Sequence, residues 1–488
     1  MQLGDYNLAI ARRFVKPSET TRSVARPMLW IMTVAGLLLY AVGIAVASSS
    51  ISSSHILGLT LRVIAVALFA IAAFRRNTLT AWTFFAIVAG AEIGADAPLV
   101  GTRLHFLAEI FLRLVRLIVA PLIFGTLTTG IAAHREMKSL GRVALRTLIY
   151  FEVITTFALL LGALAIDISR AGEGVTVPAI VAQESLITGS AAHPGAPSHP
   201  GLEGFLLSIF PDNLVTAVAD NQILQVAVFS ILLGIALARI AEEKRAPLMA
   251  VLESMTAAFF ELTRIIMYLA PVAAGAALAY TVGSMGVSTL LPLAKLLITF
   301  YAAALAMVLL VFVPVMLLMR IPMRSFWIAV SEPAAIGFAT SASQSALPLA
   351  MERMEEFGVP RWVVSFVIPS GYSFNMDGAS LYLSIASIFA AQVAGMHLSV
   401  GQQLIMIFTL MLTSKGIAGV PRATLMILLA TAWQFHLPSA PIMMILGIDA
   451  LIDMGRTALN VLGNCLAAAV IGKWETGSLA PVRIPEEA

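Results

Sequence analysis

Charged and polar side chains recur inside a long apolar segment near the C-terminus. Residues 442–471 are otherwise hydrophobic, and as a helix rising about 1.5 Å per residue they exceed the roughly 30 Å hydrocarbon core of a bilayer. The polar members of this segment are Asp449, Asp453, Arg456, Thr457, Asn460 and Asn464. From Asp453 onward they lie at intervals of three, four or seven residues, so they share one broad face of a helix.

That polar face predicts contact with a polar molecule. Burying two carboxylates and a guanidinium at membrane depth costs several kcal/mol unless the charges meet a partner, water or a polar ligand. Two interpretations meet this requirement: an internal ion-pair network that holds helices together, and a pathway for a polar substrate. We favour the substrate pathway.

The composition predicts an all-α polytopic membrane protein. The 488 residues are 59% hydrophobic and only 12% charged, and the mean hydropathy is +0.92. The basic residues cluster in short loops, so they indicate orientation in the membrane and not a nucleic-acid partner. The single cysteine, Cys465, excludes an internal disulfide framework, and no cysteine or histidine spacing predicts a metal site. The sequence shows no pairing of a nucleophile with a base that would indicate an enzyme. No cofactor is expected.

Hydropathy predicts ten spans, at residues 28–47, 56–74, 81–95, 110–132, 144–166, 223–240, 255–282, 290–318, 363–394 and 442–471. The basic loops between them all fall on the same side if the N-terminus is cytoplasmic. Both termini are then expected in the cytoplasm.

Two further apolar stretches are too broken to be simple spans. Residues 329–360 contain a small polar cluster at 340–345, and residues 400–438 contain another at 414–421. Each stretch predicts a helix, a polar turn and a second helix, which is the pattern of a re-entrant hairpin. Two such hairpins predict inverted repeats around a site at the membrane midplane. The run 375–379 predicts an unwound segment in the ninth span, with a simple kink as the alternative.

Five motifs in these segments resemble one known family. They are RLVRLIVAPLIF at 113–124, ALP at 346–348, NMDG at 375–378, GIAGVP at 416–421 and IDALIDMGRTALN at 448–460. The sequence between about residues 80 and 475 resembles the dicarboxylate/amino acid:cation symporters, the glutamate transporters, and most of all the bacterial proton/glutamate-aspartate symporters. The resemblance implies a homotrimer in the bacterial inner membrane, in which a transport domain moves like an elevator against a scaffold.

The same resemblance implies a division of the chain. We expect an N-terminal extension with two extra spans at 1–80, scaffold helices at 81–143, a transport-domain helix at 144–166, an extracellular loop with further scaffold helices at 167–282, the rest of the transport domain at 283–475 and a cytoplasmic tail at 476–488.

The resemblance implies that the substrate site binds an acidic amino acid. Arg456 matches the residue that grips the side-chain carboxylate, and its planar fork of donors suits that group. Asp453 matches the residue that receives the α-amino group, and a dicarboxylate without that group would leave Asp453 buried and unpaired. The other implied substrate contacts are Ser341, Ser343, Gly416, Ala418, Gly419, Thr457 and Asn460, together with Ala379, which stands where relatives carry Thr or Ser.

The coupling ion is predicted to be the proton, with sodium as the alternative. Sodium-coupled relatives carry an aspartate at the position of Asn464, and a neutral amide is a weaker ligand for a hard cation. They carry a tyrosine at the position of Glu152, which we predict to be the proton carrier; a salt bridge to an adjacent helix is the alternative role. In the sodium-coupled alternative, the possible cation site comprises Thr155, Thr156, Gly371, Asn375, Asp377, Ser414, Asn460 and Asn464. An anion channel or a substrate sensor on the same fold is the alternative of a different class.

Overall fold

The computed structural model describes residues 35–36, 38–40, 42, 54–132, 141–175, 210–219, 223–414, 423–435 and 437–479. Within these residues every regular element is a helix. Contacts divide the chain into two compact units, Met1–Ala89 and Gly90–Ala488. The predicted span at 28–47 lies mostly outside the described residues, which include only 35–36, 38–40 and 42 of it.

The helices follow one another in this order: α1 Ser54–Arg76, α2 Leu79–Asp96, α3 Pro98–Arg103, α4 His105–Ala132, α5 Gly141–Ser169, α6 Leu214–Ala219, α7 Ile223–Arg239, α8 Glu242–Met267, α9 Ala270–Met285, α10 Leu290–Met307, α11 Val313–Leu318, α12 Met323–Thr340, α13 Ser343–Glu356, α14 Arg361–Phe374, α15 Asp377–Val393, α16 Val400–Thr413, α17 Ala423–Gln434 and α18 Ser439–Thr476. A 3₁₀ turn at Val287–Thr289 precedes α10, and a π-helical segment at Val308–Phe312 joins α10 to α11.

The described helices include five that are long and apolar enough to cross a membrane, or six if one bent pair counts as a span. The bent pair covers the predicted span at 255–282, which is therefore not one straight helix. α8 ends at Met267 and α9 begins at Ala270, with a 50° bend between them. Pro271 lies in the first turn of α9, where its missing N–H and fixed φ suit a helix start and disfavour continuation from the preceding helix.

Both predicted hairpins contain two helices. α12 and α13 are joined by Ser341, which is left-handed with φ 53°, and by extended Ala342. The turn is therefore shorter than the polar cluster at 340–345, and Ser343 already begins α13. The second pair is α16 and α17; residues 415–422 between them lie outside the described residues, and with them Gly416, Ala418 and Gly419.

The ninth predicted span is broken at its polar motif, as expected, but over fewer residues. α14 ends at Phe374 and α15 begins at Asp377, so only Asn375 and Met376 leave the helical path. Residues 377–379 form the first turn of α15 and are not unwound, which corrects the prediction for that run.

The core lies around α15 and α18. Every residue of α15 is buried except Gln392, and α15 packs against α5, α17 and α18. The 38-residue helix α18 packs in turn against α9, α10, α12 and α14. Polar residues on α18 and at the start of α15 are therefore enclosed by other helices.

Candidate functional site

The polar face of α18 is buried along its whole length. Asp449 and Asn464 are fully buried, and no member of the set is more than 4% exposed; the members between them are Asp453, Arg456, Thr457 and Asn460. The residues from Asp453 onward thus lie on one helix, as their spacing predicted, and their shared face is buried.

Arg456 lies between two carboxylates and an aromatic ring. Its Nη2 donates a hydrogen bond to Asp453 Oδ1, and its Nη1 lies 3.9 Å from Asp449 Oδ1. The guanidinium carbon is 4.8 Å from the centre of the Tyr382 ring, within the range of a cation–π contact. The Tyr382 hydroxyl donates to Asp449 Oδ1 over 2.9 Å. The guanidinium is thus held from three sides.

Sequence patterns gave Asp449 no role of its own and did not single out Tyr382. Asp449 had a usable signal, because it lies seven residues before Arg456 and hence on the same helical face. The sequence contains no such signal for Tyr382, because its contact with Asp449 depends on how α15 packs against α18.

A small cleft opens beside this charge cluster. It brings together six residues that the sequence placed in the substrate site and adds Met376 and Thr424; the full lining is Ser341, Ser343, Met376, Thr424, Asp453, Arg456, Thr457 and Asn460. Opposite charges, hydroxyl groups and an amide thus surround one small space.

Ala379, which the sequence also placed in the substrate site, is not among the residues that line this cleft. Its backbone N–H and that of Gly378 donate to Asn460 Oδ1, over 3.2 and 2.8 Å. A Cβ on Gly378 would overlap the backbone carbonyl of Arg456. The absence of a side chain at Gly378 therefore lets the start of α15 lie directly against the turn of α18 that carries the guanidinium.

A second polar cluster is formed by buried amide and carboxylate groups. Asn375 Nδ2 donates to Asp377 Oδ2 and to Asn464 Oδ1, each over 3.2 Å. A Cβ on Gly371 would overlap Asn464 Oδ1, and one on Gly463 would overlap Asp377 Oδ2. Two glycines thus make room for the cluster, and its oxygen atoms are of the type that binds a hard cation.

Three other candidates for the cation site lie on α5 and at the end of α16. Thr155 is buried. The Thr156 hydroxyl donates to the Glu152 carbonyl over 2.7 Å and lies 3.5 Å from the Met411 sulfur. The Ser414 hydroxyl donates to the Met411 carbonyl over 3.2 Å. Among the residues that the structure describes, no group of three or more His, Cys, Asp or Glu side chains could hold a metal ion.

Comparison with known proteins decides the family. The model of the sodium:dicarboxylate symporter family matches residues 79–474. The chain belongs to this family. Its members are transporters and not enzymes, which confirms both the resemblance drawn from the motifs and the expectation that the chain is not an enzyme.

The names of the protein's relatives state different substrates and different coupling ions. The proton/glutamate-aspartate symporter of Escherichia coli K12 is 39% identical over 407 residues, covering 81% of this chain and 92% of the relative. The proton/sodium-glutamate symport protein of Bacillus caldotenax is 37% identical over 81% of this chain and 94% of its own length. C4-dicarboxylate transport protein 2 of Mesorhizobium japonicum is 37% identical over 80% and 88%.

Proposed function

We propose that this symporter imports acidic amino acids, glutamate or aspartate, together with protons. The observation that carries the proposal is the buried pairing of Asp453 with Arg456 at the edge of the cleft. An acidic amino acid offers an ammonium to the first and a carboxylate to the second. When the substrate binds, Asp453 pairs with its ammonium group and Arg456 pairs with its side-chain carboxylate, in place of their present pairing with each other.

The charge balance of the site favours an amino acid over a C4-dicarboxylate. Arg456 is accompanied by two buried carboxylates, Asp453 and Asp449. A dicarboxylate that engaged the guanidinium would bring further negative charge and leave Asp453 without its cation, which is costly at membrane depth. The alternative remains a C4-dicarboxylate, the class named for some relatives of similar identity.

Support for proton coupling comes from the amide at position 464. Asn464 Oδ1 already accepts a hydrogen bond from Asn375, and a neutral amide attracts a hard cation less than a carboxylate does. Glu152 on α5 is the proposed proton carrier, since a carboxyl group at membrane depth can take up and release a proton. Sodium coupling is the alternative, supported by the oxygen-rich cluster of Asn375 and Asp377.

We further propose an elevator mechanism with the division expected from the sequence. The scaffold would comprise residues 81–143 and 167–282, and the transport domain residues 144–166 and 283–475, with both hairpins re-entrant. The protein would lie in the bacterial inner membrane as a homotrimer with cytoplasmic termini. The packing of α15 and α18 against α5, α10, α12 and α14 supports a transport domain that moves as one body, and the packing of α18 against α9 is its contact with the proposed scaffold.

Uptake by proteoliposomes tests the proposal. Labelled glutamate and aspartate are offered under an imposed proton gradient or an imposed sodium gradient, one at a time, with succinate as competitor. We expect accumulation with the proton gradient alone and little competition by succinate. Accumulation that needs sodium and ignores the pH gradient would overturn the coupling, and strong competition by succinate would overturn the substrate class. Counterflow exchange of labelled substrate separates a transporter from a channel or a sensor, neither of which exchanges it.

A further inference from the structure

One side of α18 is braced by a tyrosine that lies outside the cleft. Tyr301, on α10, donates its hydroxyl to the Leu451 carbonyl over 2.7 Å. Leu451 and Gly455 are one turn apart on α18, so this carbonyl is also the helical partner of the Gly455 N–H. The hydroxyl therefore adds a bond from a neighbouring helix to the turn that carries Asp453.

Gly455 is the place where the Tyr301 ring meets the helix. A Cβ on Gly455 would lie 2.7 Å from Tyr301 Cε1 and 3.0 Å from its Cζ. Glycine in a helix interior is less favourable than alanine, so its presence calls for a packing reason. Here the ring occupies the space that a side chain would need, directly beside Arg456.

A second route leads from Tyr301 to the guanidinium through aromatic rings. The Tyr301 ring contacts the Phe300 ring edge-on at 5.5 Å, and Phe300 contacts the Tyr382 ring at 6.4 Å. Tyr382 in turn lies against Arg456 and hydrogen-bonds Asp449. Phe300 and Tyr382 are fully buried and Tyr301 is 37% exposed, so the row of contacting rings runs from the partly exposed Tyr301 to one side of the charge cluster.

We propose that Tyr301 is a positioning residue for substrate recognition. Its hydroxyl bond to Leu451 and its ring over Gly455 set the rotation and position of the α18 turn from which Asp453 and Arg456 reach the cleft. Tyr301 itself touches no substrate. This positioning role rests on the proposed function in one respect: glutamate is used as the ligand in the tests because it is the proposed substrate.

The first experiment is a double-mutant cycle on Gly455 and Tyr301, read as glutamate binding to the purified protein. Gly455→Ala should weaken binding roughly tenfold to a hundredfold, because a displacement of about 1 Å misaligns both charged groups. In the Tyr301→Leu background, where the ring is gone, the same substitution should cause almost no further loss. Gly472→Ala is the matched control, since it overlaps Val359 Cγ1 at 2.9 Å but lies roughly 25 Å along the helix.

The second experiment removes only the hydroxyl. Tyr301→Phe should weaken glutamate binding roughly threefold to tenfold through the lost hydrogen bond, whereas Tyr268→Phe, an exposed tyrosine, should have no effect. Amide hydrogen exchange in the peptide around Leu451–Gly455 should become faster in Tyr301→Phe without any ligand. The ratio of glutamate to glutamine affinity should also fall, because a misplaced Arg456 serves the side-chain carboxylate less well; a general loss of folding would lower both affinities alike.

These measurements separate the two proposals. Wild-type protein that binds neither glutamate nor aspartate would overturn the proposed function, and hydrogen exchange would still test the brace. A Gly455→Ala effect no larger than that of Gly472→Ala, or equal in both backgrounds, would overturn the positioning role. If Gly455→Ala does not fold, unchanged affinity and unchanged exchange in Tyr301→Phe would overturn it instead.

Discussion

At the scale of single residues, the site depends on buried charges that balance one another. Arg456 and Asp453 neutralise each other, and Tyr382 donates to Asp449. Breaking a buried pair leaves a charge without compensation and is more harmful than never having built the pair. Variants at these positions therefore report on the substrate only if folding is measured beside binding.

Replacing Arg456 with alanine should abolish binding of acidic amino acids. The substrate's side-chain carboxylate would lose its charged partner, which costs about 2–5 kcal/mol. Calorimetry with glutamate and aspartate measures the loss, and size-exclusion chromatography checks that the variant is folded. Arg264→Ala is the control, because that guanidinium is 71% exposed and pairs with Glu261 at the surface. Retained affinity in Arg456→Ala would remove the proposed carboxylate clamp.

Replacing Glu152 with glutamine should break proton coupling more than substrate binding. Glutamine has the shape of the protonated acid but cannot release a proton, so the carrier would be held in one state. We expect loss of accumulation driven by a pH gradient, with some substrate exchange retained. Glu261→Gln, with a side chain 60% exposed, serves as control. A Glu152→Gln variant that still concentrates substrate with the proton gradient as its sole energy source would refute the carrier role.

At the scale of helices, close approach decides how the polar groups meet. The break between α14 and α15 brings Asn375 to Asn464, and glycines on α14 and α18 provide the room. Asn375 Oδ1 and Asn464 Nδ2 are buried and have no hydrogen-bond partner among the described residues. The Asn375 oxygen can therefore accept a hydrogen bond from water or bind a cation, and the Asn464 amide nitrogen can donate a hydrogen bond to water.

Replacing Gly371 with alanine should destabilise the protein by about 1–3 kcal/mol, because the new methyl group would overlap Asn464 Oδ1 in a packed interior. Thermal unfolding in detergent measures the effect as a lower Tm. Gly401→Ala on α16 is the matched control, since a Cβ there meets no atom within 4 Å; it should be neutral or stabilising by up to about 1 kcal/mol. Equal Tm values for the two variants would contradict the close packing of Gly371.

At the scale of the whole molecule, the proposed assembly and movement rest on the resemblance to the family. α7 and α8 expose large apolar side chains, among them Leu232, Val251 and Ile265. Such a surface suits lipid or a second copy of the chain. The resemblance favours subunit contacts through the part of the scaffold within residues 223–282.

The protein should therefore be a homotrimer. Native mass spectrometry in mild detergent should give a mass near three times the 51.8 kDa of one chain. A harsher detergent, used as the control, should release single chains. Only monomers or dimers under mild conditions would count against the trimer.

The sequence by itself determined the class of protein, most helices, the polar face of α18 and the family. Hydropathy and helical spacing are local properties, so they predict what each segment becomes and which side chains share a face. Hydropathy missed the bend between α8 and α9, because both halves are apolar and a window averages across them. Tertiary structure alone decided that Tyr382 meets Asp449, that Asn375 meets Asn464 and that the Tyr301 hydroxyl meets the Leu451 carbonyl. These pairs join residues 67, 89 and 150 positions apart, and only the packing of neighbouring helices brings them together.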